Sequence, residues 1–228
     1  MELIEGIMSR KSIRAFSSRP VSKEDTTRVI SAGIAAPSKG NSQIWEFIGV
    51  TGNKKKAMDE MLFNLLQTDF IPSMQLSDSD DMVPAEALKK AQKRSRRNEQ
   101  EISEILSPLG LPFEKFMLEG TFTTFNAPVA ILVFVDKVFS KDLPHVLSVG
   151  AAVQNMLLAA TAIGLGTCWI GGIWRYTKEI RALFKIPHNK ILLSSVALGY
   201  TDLNSPISKY KSSRNDISEF IKWIGFDE

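Results

Sequence analysis

The chain has 228 residues and a mass of 25.4 kDa, with 44% apolar and 23% charged residues. These proportions are typical of a folded globular protein and exclude a chain that is disordered over most of its length. A net charge of +3 is too small to indicate a nucleic-acid-binding protein, and one cysteine with two histidines excludes a conventional Cys/His zinc site. We therefore expect one domain with a sizeable core.

Hydrophobic periodicity and turn-forming residues divide the first third of the chain into five elements. The first residues mix acids and bases, so we expect no signal peptide there. Ser22, followed by Asp25, is typical of a capped helix start. In order, the predicted elements are a helix from Leu3, a helix from Ser22, a loop over 37–42, a buried strand at Trp45–Val50 and a helix from Lys54 to Ile71.

The remaining two thirds begin with an acidic stretch at 73–81, which we expect to be mobile. The segment Pro128–Asp136 is continuously apolar and β-branched, as in a strand that is covered on both faces. The other predicted elements are a charged helix from Ala85 to a break at Pro108, a long helix at Val146–Leu165, a helix around Lys178–Phe184, a strand at Ile191–Tyr200 and a short docking element at Ile217–Trp223.

The predicted helix at Val146–Leu165 is about as long as a membrane span. Gln154 and Asn155 lie at its middle, and no basic cluster lies close to either end. We therefore predict a central core helix that is buried on all sides, and no membrane association. A second subunit could also pack against this helix. Cys168 cannot form an internal disulfide, which predicts a cytoplasmic protein.

No internal repeat or low-complexity linker divides the chain. The helices flank the strands and do not alternate strictly with them, so we predict a single α+β domain over residues 1–228. No nucleophilic triad and no paired carboxylates are present, and Cys168 lies between apolar neighbours, as a core residue does. If the protein is an enzyme, we expect its chemistry to be carried by a bound cofactor, and we predict no protein residue as catalytic.

Two groups of residues are candidates for binding that cofactor. Arg10, Lys11 and Arg14, with Ser12 between them, suit a phosphate, although cations at a helix C-terminus also complement its dipole. Gly164, Gly166, Gly171 and Gly172 bracket the segment Thr167–Ile170 and would allow close approach of a flat ligand. Their spacing is not that of a dinucleotide-binding fingerprint, and taken alone they predict a helix cap and a turn.

Three segments give these candidates a common interpretation: RKSIR at Arg10–Arg14, APSKGNSQIW at Ala36–Trp45 and GLGTCWIGG at Gly164–Gly172. They resemble, in the same order, the R-R-S-x-R, A-P-S-x-x-N-x-Q-P-W and G-L-G-x-x-W-I-G-G motifs of the nitroreductase-like flavoprotein family. Three further segments resemble parts of the same family. Ser148–Ala160 resembles its central dimer helix, Ala197–Tyr200 its late strand and Arg214–Trp223 its terminal segment. The resemblance covers nearly the whole chain.

The resemblance implies a nitroreductase-like fold: a small mixed, mainly antiparallel sheet flanked by helices, with a long central dimer helix. It implies FMN as cofactor, NADH or NADPH as co-substrate, and a homodimer with FMN at its interface. The residues that it implies for the ribityl phosphate are Arg10, Lys11, Ser12, Arg14 and Arg214. Those that it implies around the isoalloxazine ring are Pro37, Ser38, Asn41 and Gln43 of the other subunit, and the backbone of Ile170, Gly171 and Gly172.

The sequence departs from the family pattern at a few positions. Ile44 stands where the family usually has proline, and Lys11 where it has arginine or histidine. Ser212 stands where relatives often carry a lysine, a role open to either Lys209 or Lys211. The changes at Ile44 and Lys11 are mild.

The region of about 67–121 matches no motif, and in this family it covers the flavin and shapes the substrate pocket. Two interpretations are open for its aromatic residues, which could roof a planar substrate or form the core face of a helix. These are Phe113, Phe116, Phe122 and Phe125. Trp169 and Trp174 are predicted to be packing groups.

The stretch Lys89–Arg97 holds six cations in nine residues and is followed by acids at helical spacing. It contains no aromatic residue for stacking on bases, so a solvated helix face is favoured over a nucleic-acid surface. The predicted function is an FMN-dependent, NAD(P)H-oxidising reductase of nitroaromatics, quinones or similar planar acceptors, with ping-pong kinetics. The alternatives are reductive dehalogenation, oxygen-dependent flavin breakdown, or a non-enzymatic binding module that uses residues 89–97.

Overall fold

A computed structural model describes residues 2–68 and 85–226, and within them the chain forms seven α-helices and four β-strands. The helices are α1 Leu3–Ser9, α2 Lys23–Ile34, α3 Gly52–Thr68, α4 Ala85–Leu106, α5 Phe113–Phe122, α6 Leu143–Ala162 and α7 Thr177–Phe184. The strands are β1 Trp45–Thr51, β2 Val129–Asp136, β3 Gly166–Ile170 and β4 Lys190–Gly199. The acidic stretch at 73–81 and the predicted helix end at Ile71 lie outside the described residues.

The four strands form one sheet in the order β1-β2-β4-β3, and every neighbouring pair is antiparallel. Among residues 2–68 and 85–226, parallel pairing is limited to an isolated bridge between Ser12 and Thr167. The predicted α+β class and small sheet are confirmed. β2 is buried along its length because β1 and β4 flank it and apolar clusters cover both of its faces, as its sequence predicts.

Strand β1 lies at one edge of this sheet, and its position changes one expectation. Only Val50 is buried along this strand, and Gly49 and Thr51 are exposed. The prediction of a strand here is correct, but the prediction that it is buried is wrong, because an edge strand has a neighbour on one side only. The helix that precedes it begins as predicted, since Ser22 Oγ accepts a hydrogen bond from the Asp25 N–H at 2.9 Å.

Helix α6 packs one face against the sheet. Val149, Val153 and Met156 belong to the same buried cluster as the β2 side chains on that face. The side chains of Leu143 and Leu147 point away from it and are 67% and 64% exposed. The core-helix prediction is confirmed, whereas burial on all sides does not occur in the protomer. By length and composition α6 is also the one described helix able to span a membrane, and cytoplasmic localisation stays a prediction.

The C-terminus of α6 is closed by glycine. Gly164 adopts a φ of +79°, which a residue with a Cβ rarely does, and the Leu165 N–H donates to the Ala160 carbonyl at 2.8 Å. This confirms the predicted helix cap. The helix spans Leu143–Ala162 rather than Val146–Leu165 because this cap ends it early and Pro144 favours its first turn.

Strand β3 follows this cap and was not predicted. Five residues with a glycine first carry little strand signal, and the strand exists because it pairs with β4. Cys168 is buried on it, which confirms that the cysteine is a core residue.

Helix α4 has the predicted bounds and buries Ile102 and Leu106, while its basic residues face solvent. Its ion pairs are Lys90–Glu86 at 2.9 Å, Arg94–Glu219 at 2.9 Å and Arg97–Glu101 at 3.9 Å. This supports the interpretation as a solvated face. The terminal segment forms a short turn at Ile217–Glu219 and contacts α4 through the Arg94–Glu219 ion pair and the Arg94 guanidinium over the Phe220 ring, 4.9 Å from its centroid. Most of its apolar surface stays exposed within the protomer.

The four phenylalanines around α5 are packing residues. Phe122 and Phe125 are buried in core clusters, and Phe116 packs on the Phe125 ring at 5.7 Å between centroids. Phe113 packs against the buried face of α4. Of the two open interpretations, the described contacts favour the core face of a helix.

Candidate functional site

The segment that carries Arg10 to Arg14 packs closely against the end of the sheet where β3 and β4 pair. The Ile13 N–H donates to the Thr167 carbonyl at 2.8 Å. A Cβ on Gly166 would lie 2.7 Å from Ile13 Cγ1, and one on Gly199 would lie 2.9 Å from Phe16 Cδ1. The two glycines are partners in the β3–β4 pairing, so together they form a flat patch that lets the segment lie directly on the sheet.

A groove of about 660 Å³ opens beside this segment. One wall is a face of α6 from Val146 to Leu157, and the other is formed by β3 and β4. The Trp169 Nε1–H donates to Ser194 Oγ at 2.8 Å and fixes the indole on the second wall. The lining residues are Arg10, Ser12, Val146, Leu147, Val149, Gly150, Gln154, Leu157, Trp169, Gly171, Leu193 and Ser194. The groove thus combines apolar walls with a cation and a hydroxyl at one place.

Three sequence-predicted site residues, Arg10, Ser12 and Gly171, meet in this groove. Trp169 and Trp174 were expected to be packing groups, but they are 45% and 51% exposed, and Trp169 is part of the groove wall. Trp169 is half-exposed because β3 lies at the other edge of the sheet, where a strand residue can face solvent, and Trp174 lies in the turn after β3. Their assignment as packing groups rather than redox participants stays a prediction.

Sequence reasoning missed most of the groove's walls. The α6 positions follow helical spacing and lie on one face, a signal that could have been used together with the long-helix prediction. Leu193 and Ser194 carried no signal, because their position beside Trp169 depends on strand pairing between β3 and β4.

Arg214 lies outside the groove in a neighbouring cavity of about 340 Å³. Its Nη1 donates to Ser212 Oγ at 2.8 Å and to two backbone carbonyls of its own segment. Burial, and secondly the charge of Arg214, lower the pKa of Arg10 below its usual range. The two guanidiniums therefore act on each other electrostatically, and an anion between them would relieve their repulsion.

Arg14 lies between strand β3 and the C-terminal segment. Its Nε is buried and has no hydrogen-bond partner among the described residues. Burial raises the pKa of the neighbouring Cys168 thiol, although the charges of Arg14 and Arg10 act in the opposite direction. The raised pKa keeps the thiol neutral.

Tyr210 Oη bonds to Asn98 and Glu101 at 2.8 Å each. Burial, and secondly the hydrogen bond to Glu101, raise the pKa of Tyr210 to about 12.

Lys11 points away from the groove toward the C-terminal segment. Its Nζ donates to the Ser208 carbonyl at 2.6 Å. An ammonium group has three donors, so this bond leaves two for a further acceptor. The side chain of Ile170 is buried in the core, and Gly172 begins the turn after β3. Both residues therefore present only backbone groups beside Gly171.

The predicted ring-contacting loop between α2 and β1 is not part of this groove within one protomer. Pro37, Asn41 and Gln43 are exposed, and Ser38 is half-buried. Ser38 Oγ accepts from the Gln43 N–H at 2.9 Å, and Gln43 Nε2 donates to Asn41 Oδ1 at 3.0 Å. The loop is therefore internally organised, with its polar groups presented outward.

Comparison with known proteins assigns the class that this fold and groove define. The model of the nitroreductase family matches residues 7–200, and the chain belongs to that family. It is 30% identical over 206 residues to a putative NADH dehydrogenase/NAD(P)H nitroreductase of Archaeoglobus fulgidus, covering 87% of this chain and 85% of the relative. It is 25% identical to a 4-nitrobenzoate reductase of Pseudomonas putida, covering 97% and 95%.

The fold is shared with solved structures as well. A variant of the FMN and NADPH-dependent nitroreductase NfnB from Sphigopyxis sp. strain HMH superposes with a TM-score of 0.84 at 24% identity. The match covers 99% of this chain and all of that one. The nitroreductase fold inferred from the sequence is thereby confirmed.

Proposed function

We propose that the protein is an FMN-dependent oxidoreductase that uses NADH or NADPH to reduce nitroaromatics, quinones or similar planar acceptors. The observation that carries this proposal is the groove in which Arg10 and Ser12 meet apolar walls and the backbone of Gly171. The names of the relatives, nitroreductases and an NADPH-flavin oxidoreductase of Vibrio harveyi, support the same chemistry.

The phosphate end of FMN fits Arg10 in the groove and the cations beside it. A dianion would offset the repulsion between Arg10 and Arg214 and give the buried Nε of Arg14 an acceptor. Ser12 would add a hydroxyl, and Lys11 has donors left beyond its bond to Ser208. These five side chains are our proposed phosphate site.

The ring end fits the walls of the same groove. A flat apolar ring needs flat apolar walls and a few backbone donors at its edge, which the segment Ile170–Gly172 would supply. Bound FMN would accept two electrons from a reduced nicotinamide and later pass them to the acceptor. The apolar residues of the α6 wall would keep water from a bound ring, and the Trp169–Ser194 bond would hold the other wall in place. Donor and acceptor would occupy one pocket in turn, which predicts ping-pong kinetics.

We also propose a homodimer with FMN at its interface. The residues that would border the ring from the second copy are Pro37, Ser38, Asn41 and Gln43. Within a protomer they lie outside the groove and are organised for contact outward, which supports their action in trans. The region 67–121, which includes α4 and α5, is proposed to cover the flavin and shape the substrate pocket.

Absorbance of the purified protein tests the proposal. We expect a yellow protein with the visible bands of a bound flavin, and oxidation of NADH or NADPH that requires an added nitroaromatic or quinone. A colourless protein that does not bind added FMN would contradict the proposal. Bound FMN without nitroaromatic-dependent turnover would instead favour dehalogenation or flavin breakdown.

Arg10→Ala tests the placement of the phosphate. Because it removes a charged donor, we expect FMN affinity to fall roughly 10- to 100-fold, as measured by quenching of flavin fluorescence. Arg214→Ala is expected to act in the same direction, with the dimer retained. Arg28→Ala, which removes an exposed cation on α2, is the control and should leave FMN affinity unchanged.

A further inference from the structure

The loop at 38–43 adopts a costly backbone conformation. Gly40, Asn41 and Gln43 have φ values of +57°, +54° and +47°, in the left-handed region that non-glycine residues rarely adopt. Gly40 adopts this conformation without steric cost, but Asn41 and Gln43 do so at a cost in free energy, so their conformation persists only where surrounding contacts determine it. The two hydrogen bonds within the loop fix its shape but not its position on the protein.

Lys39 fixes that position through two contacts with the start of α6. Its backbone N–H donates to Ser148 Oγ at 3.2 Å, and its Nζ lies 3.2 Å from Asp142 Oδ2. Ser148 is 7% exposed, and its hydroxyl donates in turn to the Pro144 carbonyl at 2.9 Å. One buried hydroxyl thus joins the loop backbone to the first turn of the helix.

Asp142 occupies the N-cap position of α6, but its side chain does not cap the helix. Its carboxylate instead lies 2.8 Å from His145 Nδ1 and accepts a hydrogen bond from Lys39 Nζ, and these two contacts, first that with His145, lower the pKa of Asp142. An aspartate at this position ordinarily accepts from the helix N–H groups. Here that interaction is replaced by one contact within α6, to His145, and one contact with the loop, to Lys39.

The same turns of α6 carry a wall of the flavin groove. Val146, Leu147 and Gly150 line the groove, and Ser148 lies between them in sequence with its hydroxyl on the loop. We propose that Ser148 and Asp142 are positioning residues that hold the loop 38–43 where it completes the flavin site of the second copy. They would hold Pro37, Ser38 and Asn41 in register with the helix that shapes their own groove. This inference rests on the proposed flavin function.

Ser148→Ala tests this inference in the holoprotein. It leaves the Lys39 N–H without its acceptor, so we expect FMN affinity to fall roughly 10-fold. At saturating FMN we expect a shifted visible spectrum of the bound flavin and a lower kcat. Asp142→Asn affects a more exposed ion pair, so we expect a smaller loss of affinity, about 2- to 3-fold.

Ser140→Ala is the matched control, because Ser140 bonds only to the Lys137 carbonyl in the turn before α6. It should change neither FMN affinity nor the flavin spectrum. A yellow wild type whose Ser148→Ala and Asp142→Asn variants keep wild-type affinity and spectrum would overturn this inference and leave the proposed function standing. A lowered melting temperature with an unchanged flavin spectrum would also overturn it, because that result indicates a structural role only. A wild type that binds no FMN would overturn both.

Discussion

Lys55 is a buried lysine whose role is local. It is 5% exposed, pairs with Asp59 one turn along α3 and donates to the Thr123 carbonyl at 3.3 Å. The carbonyl directly precedes Thr124, Phe125 and Asn126, which have φ values of +50°, +50° and +56°. The pair therefore supports a strained turn that leads into β2.

Asp59 is predicted to make stability fall with rising pH. Burial, partly opposed by Lys55, raises its pKa to about 6 in the folded protein from 3.8 as a model acid. The folded state then binds the proton more tightly, so this contribution is complete below about pH 4 and is lost as the pH rises through about 6. The Asp59→Asn variant lacks this carboxyl and does not lose the contribution. Its unfolding free energy relative to that of the wild type should therefore increase by about 2 kcal/mol as the pH rises from about 4 to about 6.

Chemical denaturation at several pH values measures this difference. Glu114→Gln, which removes one exposed acid on α5, controls for the loss of a negative charge. If wild type and Asp59→Asn show parallel pH profiles of unfolding free energy, the carboxyl does not titrate in this range.

At the scale of elements, the contact between the N-terminal segment and the sheet decides where the cations lie. Gly166 and Gly199 face each other across β3 and β4, and the segment around Ile13 fills the space that side chains would take there. Neither glycine has a positive φ, so what matters at both is the missing Cβ.

Gly166→Ala is predicted to displace this segment. The added Cβ would lie 2.7 Å from Ile13 Cγ1 and 2.8 Å from Thr201 Oγ1. We expect the unfolding free energy to fall by about 1–3 kcal/mol from overpacking, and FMN affinity to fall several-fold because Arg10 and Ser12 move with the segment. Denaturant titration and flavin binding measure the two effects.

Gly49→Ala on β1 is the matched control, since its Cβ would meet only Thr26 Cγ2 at an ordinary 3.9 Å. It should be nearly neutral in both measurements. Wild-type stability and FMN affinity in Gly166→Ala would show that the segment shifts without cost.

At the scale of the whole molecule, the protomer leaves much apolar surface exposed. The apolar side of α1, with Leu3, Ile4 and Met8, is open to solvent although its spacing is that of a packed helix. Leu143 and Leu147 on α6 are exposed, as are the apolar residues of the C-terminal segment. Surface of this kind is what a protein–protein interface buries, and a second copy would cover it.

Ile4→Glu is therefore predicted to disrupt the proposed dimer. A charge placed in a desolvated interface should weaken self-association roughly 100-fold, or about 3 kcal/mol. Light scattering over a range of protein concentrations would report the change. FMN affinity should fall with it, because part of each site comes from the other copy.

Leu109→Glu, the same substitution at an exposed apolar residue in the turn after α4, is the control and should leave the oligomeric state unchanged. A wild type that is monomeric at every concentration, or an Ile4→Glu variant that associates as the wild type does, would contradict the role assigned to α1.

The sequence predicted local structure correctly where the residues of one short segment determine that structure. Ser22 caps its helix, Gly164 ends α6, and the apolar run of β2 is buried on both faces, because each depends on its own residues or on strong periodicity. β3 was missed because five residues become a strand only by pairing with β4. Periodicity predicted α1 correctly as a helix but could not show that its apolar face lacks a partner within the protomer.

The sequence by itself determined the α+β class, the central helix and the family, since ordered motifs along the chain carry that information. It also marked Arg10, Ser12 and Gly171 as candidates, which lie more than 150 positions apart at their extremes. Only the tertiary structure decided that these three share a groove, that Trp169 lines it and that Ser148 holds the loop. Such contacts depend on strand register and helix packing, which join distant parts of the chain and leave no local signal in it.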